Sequence, residues 1–346
     1  MESAKNKIEI FETNGLYGCR DSITKEIVIE AQYDFKPIFH NGIAIVQIDN
    51  LYGVIDLFGR ILVPTIYNCI YEFQGKYSKI SLEDKWGIIN NWGEEIISPQ
   101  YDRIGLSDSI IFSEGIAIIQ EYSLTKNKLI YGFANQYGQI IAPPQYSIAH
   151  NFKENLALVG LKNKIGYISK LGTIVIPIQY DDAEDFSEGL AAVKQNTKWG
   201  YIDQIGNIVI PFIYNTSRPS SEGLIAVKEG RKWGYINNSG EAVIPPIFDE
   251  AYDFHEGLAV VYKGHKCGYI DKQGQVVIPF SEDLKYDFHE GLARIRRNNK
   301  EGFIDRTGDV IIPISYDHVH DFSHGYTELY DNKNSLIKKI PNPLIE

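Results

Sequence analysis

The densest group of reactive side chains lies near the C-terminal end, where Asp317-His-Val-His-Asp321 is followed by His324. Alternate residues of a strand share a face, so His318 and His320 would stand side by side, as divalent-metal ligands sometimes do, with His324 as a third donor. The same residues also fill a recurring link of the form Tyr-Asp-x-x-x-Asp-Phe, and a solvated link is the preferred reading, with no metal and no cofactor expected. His255 and His289 hold equivalent places in two such links, where two neighbouring imidazoles would resist joint protonation. Arg294, Arg296 and Arg297 form a local basic run able to receive an acidic partner. Glu154, Asp185, Glu188, Glu222, Glu256 and Glu290 recur in the links as an acidic stripe, yet no pair is spaced as a general acid and base. The chain has no phosphate loop, no G-x-S-x-G elbow and no H-E-x-x-H. No catalytic residue is assigned, and the chain is expected not to be an enzyme.

The elements that carry these groups follow a repeat. Nine glycines, usually after an aromatic, anchor it: Gly18, Gly53, Gly87, Gly132, Gly166, Gly200, Gly234, Gly268 and Gly302. Their separations are 35, 34 and 45 residues, then 34 five times. A constant period of this length signals a tandem array. Each copy holds three short apolar runs rich in β-branched and aromatic residues, such as Leu190-Ala-Ala-Val193, Trp199-Gly-Tyr-Ile202 and Ile208-Val-Ile-Pro211. Glycine and proline inside these runs exclude paired helices, and the runs read as strands. Asp or Asn three residues before a glycine, as in Asp203 and Gly206, predicts a type I turn between the second and third strands.

The expected unit is therefore a three-stranded antiparallel meander. In its first strand the second and fourth positions (Ala191, Val193) should face inward and the third (Ala192, Val260, Arg294) outward or toward a ligand. The third strand is apolar throughout, which predicts burial on both faces, with its proline at a strand exit or edge. The aromatics after the proline, and the Phe of the next link, should pack between copies. Nine meanders and a C-terminal cap over about 326–346 make residues 1–346 one all-β array. An open curved or superhelical solenoid is the first expectation and a closed β-propeller the alternative. Eleven surplus residues in one copy fall within 103–110 and 121–128. Insertions map to loops that often bind, so Glu121, Tyr122, Lys126 and Lys128 are partner-binding candidates.

The phrase Lys198-Trp-Gly-Tyr-Ile-Asp203, continued through Gly206 to Pro211 and repeated from Lys232 to Pro245, resembles the WG (KWG) repeat family of bacterial proteins. The likeness extends over nearly the whole chain, although Ile165, Cys267 and Glu301 replace the aromatic and Asn155 a later glycine. The resemblance implies a β-rich scaffold of variable copy number, with no catalytic residues and no cofactor.

Net charge is −11, with 44% hydrophobic and 23% charged residues. That balance argues against nucleic acid or an anionic membrane as partner and suits a basic protein. Three scattered cysteines provide neither a disulfide framework nor a zinc site. The N-terminal stretch lacks the apolar core of a signal peptide, and no run approaches the ~18 apolar residues of a membrane helix. A cytoplasmic location is the default expectation, with signal-independent export left open. The leading expectation is a non-enzymatic protein-interaction scaffold, for example an immunity protein that inhibits a bacterial toxin. Carbohydrate or envelope binding through Tyr262 and Tyr330 is the alternative, and a secreted effector a third.

Overall fold

A computed structural model describes residues 8–107, 111–331 and 335–344. Asp108, Ser109 and Ile110 of the first insertion segment lie outside the described residues, as do 332–334 and 345–346 of the expected cap. Among the described residues every regular element is a strand. The strands form ten small antiparallel sheets, none closed on itself. Nine contain one anchor glycine each, and the tenth pairs His318–Val319, Tyr326–Tyr330 and Leu336–Pro341. Sheets are numbered here from first to tenth in chain order.

The anchor glycine is explained by a close backbone approach. In the sixth sheet Trp199 pairs with Tyr214, but Tyr201 pairs with Ile210. Residues 211–213 of the third strand therefore bulge over Gly200 alone. A Cβ on Gly200 would lie 2.6 Å from the Ile210 carbonyl oxygen, and the other eight anchors meet the same obstruction. Pro211 sits in that bulge on an edge strand, where its missing N–H leaves no ladder bond unmade. The proline thus marks an edge, as expected, but lies within the strand rather than at its exit.

Seven of the sheets have four strands rather than the expected three. The additional strand comes from the link, which turns back onto the first strand of its own copy: Ala183 pairs with Val193, and Ser217 with Val227. In most copies it is two residues long, too short to leave a periodic signal. In the eighth and ninth sheets it lengthens to Glu250–His255 and Leu284–His289.

Successive sheets pack face to face. Leu190, Ala192, Tyr201 and Ile210 of the sixth sheet share a core with Ile225, Val227 and Ile236 of the seventh. Leu224, Ala226 and Tyr235 of the seventh share the next core with Ala259, Val261 and Ile270 of the eighth. From the third to the eighth sheet the first strand is covered on both faces, so the third position is buried as well: Ala192 is 1% exposed and Val260 3%. The expected outward orientation of that position does not hold. The third strand departs from expectation in the opposite sense. Only its third and seventh residues, such as Ile210 and Tyr214, are buried, while Ile208 and Val209 are exposed. Its apolar run serves strand propensity at an edge rather than two-sided burial.

The chain forms two compact units, residues 1–162 with 168–173, and residues 163–167 with 174–346. The first contains the cores joining the first four sheets. The second contains those joining the sixth sheet to the tenth.

Gly200→Ala forces a methyl group into the bulge and should lower stability by about 1–3 kcal/mol. Ile205→Ser, at an exposed turn five residues later, should stay within about 0.5 kcal/mol of the parent. Urea unfolding compares the two, and equal losses would show that the close approach does not hold the sheet.

Candidate functional site

The recurring carboxylates of the links are mostly structural. Glu188, Glu222, Glu256 and Glu290 each accept the backbone N–H of the glycine 35 residues on, at Gly223, Gly257, Gly291 and Gly325, over 2.8–2.9 Å. Glu114 does the same for Asn155 at 3.0 Å. Lys272 and Lys170 add ion pairs to Glu222 and Glu114. Burial pushes the Glu188 and Glu222 carboxyls up, but hydrogen bonds outweigh it and both end below the usual range. His324 occupies this place in the last link, and its Nδ1 lies 2.9 Å from Ser323 Oγ. The motif lysines are similarly engaged, with Lys85, Lys164, Lys232 and Lys300 pairing with the Asp 17 residues on.

The link phenylalanines pack between copies, but their ring partners are the tyrosines after the anchor glycines rather than the aromatics after the proline. The rings of Tyr167 and Phe186, Tyr235 and Phe254, and Tyr269 and Phe288 lie 4.9–5.0 Å apart. Each of these tyrosines donates its hydroxyl to a carbonyl of the next link, namely Glu184, Tyr252 and Tyr286.

The histidines do come together in pairs. His318 and His320 rings are 5.2 Å apart, and His255 and His289 rings 6.1 Å apart. Each faces a carboxylate: His318 Glu301, His320 Glu328, His255 Asp287 and His289 Asp321. Among the described residues no three His, Cys, Asp or Glu side chains form a group that could hold a metal. Around His255 and His289 a polar column runs through Asp253, Asp287 and Asp321. Burial raises the Asp253 and Asp287 carboxyls above their ordinary range, against the pull of Arg218 on the first and of His255 and His289 on the second.

The basic run is not an open patch. Arg294 lies 4.1 Å over the Tyr286 ring and donates to the Val319 carbonyl. Arg297 forks onto Asp283 at 3.0 and 2.7 Å, and Arg296 is half-buried. Tyr262 is half-buried beside Tyr252, and Tyr330 packs on His320 while donating to Glu328. Glu121, Tyr122, Lys126 and Lys128 sit together at the exposed end of one hairpin, where the insertion lengthens two strands to eight residues each.

The most open apolar feature lies at the Asx-Gly turns. Asp56 Oδ1 accepts the N–H of Phe58 and Arg60, and Gly59 N–H donates to Asp56 O, with Gly59 at φ 73°. The closed turn holds the residue before its glycine out in solvent. That residue is Phe58 in the second turn, followed by Trp92, Tyr137, Leu171 and Ile205, and Ile23 holds the same place in the first turn, where Thr24 replaces the glycine; all are 59–87% exposed. Within the first unit each turn glycine abuts the preceding sheet: Gly59 meets Ile29, Gly93 Leu62, Gly138 Ile96 and Gly172 Ile141. The tips from Phe58 to Leu171 are therefore aligned in series. Comparing this one turn position across copies would have revealed the series from the sequence.

The profile described as "WG containing repeat" matches nine segments: 17–52, 52–86, 86–123, 131–164, 165–199, 199–233, 233–267, 268–300 and 302–328. The chain belongs to the WG repeat family. It is a repeat-containing β protein. No curated protein matches this WG repeat chain. Solved structures superpose only loosely. A eukaryotic initiation factor gives a TM-score of 0.48 at 10% identity, over 87% of this chain and 96% of its own. The extracellular domain of a putative hybrid two-component system from B. thetaiotaomicron gives 0.24 at 10% identity, over 97% and 57%. Kluyveromyces lactis Hsv2 gives 0.39 at 7% identity, over 66% and 96%. Superpositions of this quality carry no functional argument. Among the described residues no helix is long and apolar enough to cross a membrane.

The two kinds of carboxylate should respond oppositely to pH. A lowered folded pKa contributes stability that is present above the unfolded Glu value, about 4.3, and lost as pH falls through the folded value. A raised one contributes stability that is present below the unfolded Asp value, about 3.9, and lost as pH rises through the folded value. Glu222→Ala should therefore cost about 1.5–3 kcal/mol at pH 7 and much less at pH 3. Asp253→Asn and Asp287→Asn should be better tolerated at pH 7 than at pH 3. Denaturant unfolding at both pH values tests the signs, and a common trend would contradict the assignment.

Proposed function

We propose that this WG repeat chain is a non-enzymatic binding scaffold that holds another protein along its exposed turn tips. The observation that carries this is the series Phe58, Trp92, Tyr137 and Leu171, large apolar side chains presented to solvent at equivalent places. The array supplies its own control. Ser239, Gln273 and Thr307 fill the same position in the last three complete copies, and their turns close with the same Gly-to-Asx bond. Folding does not require an apolar residue there, so its retention in the earlier copies is attributed to recognition. Aligned exposed apolar residues of this kind mark protein-binding surfaces more often than chance.

The net charge of −11 favours a partner with a basic rim around an apolar centre. An inhibitor or immunity protein that covers a toxin is one concrete form of this reading, set in a bacterial cytoplasm. The hairpin tip with Tyr122 and Lys126 offers a second contact in the same unit.

The test replaces Phe58, Trp92 and Tyr137 with Ser, Gln and Thr, residues the array already uses at this position. Thermal unfolding should be nearly unchanged. A one-to-one complex captured from cells that produce the chain naturally should be lost in the triple variant, and a photo-crosslinker at position 92 should join the partner. Undiminished capture by the triple variant, or crosslinking only from other faces, would overturn the proposal.

A further inference from the structure

We propose that a cavity between the eighth and ninth sheets is a binding site for a neutral saccharide. Its volume is about 380 Å³, inside the roughly 300–1,000 Å³ usual for small-molecule sites. Tyr262 supplies an aromatic wall on which the C–H face of a sugar ring can lie, beside Tyr252 and Tyr286, whose rings each carry a guanidinium, that of Arg218 and of Arg294. Asp287, His289, Arg294 and Asp321 supply acceptors and donors around them.

Two observations select the ligand's chemistry. The first is unmet hydrogen bonding. Arg294 Nε and Asp321 Oδ1 approach to 3.4 Å without hydrogen-bond geometry, and neither buried atom has a hydrogen-bond partner. Asp253 Oδ1, one copy earlier in the same column, is in the same state. Buried polar atoms are nearly always hydrogen-bonded, so this ion pair leaves a donor and an acceptor at the cavity whose hydrogen bonds a ligand can supply. The second is charge balance. Asp287 lies 3.5 Å from His255, and Asp321 faces both His289 and Arg294. The carboxylates already face cationic or ionisable partners, so a cationic ligand gains little. An anionic one would meet Asp287 and Asp321, and with Lys285 and Arg294 opposite them the lining holds as many cations as carboxylates and favours neither sign. Vicinal hydroxyls, each both donor and acceptor, suit a carboxylate and a guanidinium, which bond through two parallel positions. The site lies in the second unit and is independent of the turn tips.

Saturation-transfer NMR on the full chain tests the proposal with cellobiose, maltose, lactose and N,N′-diacetylchitobiose as neutral probes, and sialyllactose as an anionic comparator. Transfer to the ring protons of at least one neutral probe is expected. Its affinity should fall at least tenfold in Tyr262→Leu and in Asp321→Asn. Arg294 packs on Tyr286 and its loss can disturb folding, so Arg294→Lys keeps the cation while removing the fork, with the same tenfold loss expected. Thermal unfolding confirms that each variant is folded. No transfer to any neutral probe, transfer to sialyllactose alone, or transfer unchanged in all three variants would each overturn the assignment.

Discussion

The contact on which nine of the ten sheets depend is the approach of one backbone to another at the anchor glycine. Three residues of the third strand, two in the eighth sheet, arch over a single residue of the second, and no side chain fits beneath them. Glycine and proline are therefore one device. Proline needs an edge position with no ladder partner, and the arch it occupies needs glycine below. The aromatic before the glycine then meets the aromatic that closes the arch, as Trp199 meets Tyr214. A motif that reads as a string of letters is the imprint of one local geometry.

A sheet built this way cannot stand alone, because both of its faces are apolar. Neighbouring copies resolve this through three contacts that recur at nearly fixed intervals. Aliphatic residues of the first strands interlock, a tyrosine reaches the next link's carbonyl while its ring meets that link's phenylalanine, and a glutamate accepts the following glycine's N–H. The last of these is the most economical, since one carboxylate satisfies a backbone donor and fixes the offset between copies.

Much of this was legible in the sequence. The period, the strands, the Asx-Gly turns and the place of the link phenylalanines between copies all follow from residue type and spacing. Two burial patterns did not. Ala192 and Val260 were expected to face outward because alternation assumes one covered face, whereas in a stack of like sheets both are covered. Ile208 and Val209 were expected inside because apolar runs suggest burial, whereas an edge strand keeps β-branched residues for their backbone preference. The site was harder to see. Arg294 and the link glutamates attract attention as charges, yet their partners lie 25–35 residues away, and only the fold reveals them. The turn tips escaped notice because a lone exposed Phe or Trp means little until its equivalents are aligned.

The Asx-Gly turn closes through its first and last residues, leaving the tip side chain without a duty in holding the backbone. Each tip is then a place where sequence can drift with almost no consequence for the module beneath. An array of such modules separates what must be kept from what can be rewritten. New specificities can arise one tip at a time, each trial made on a frame that does not register the change.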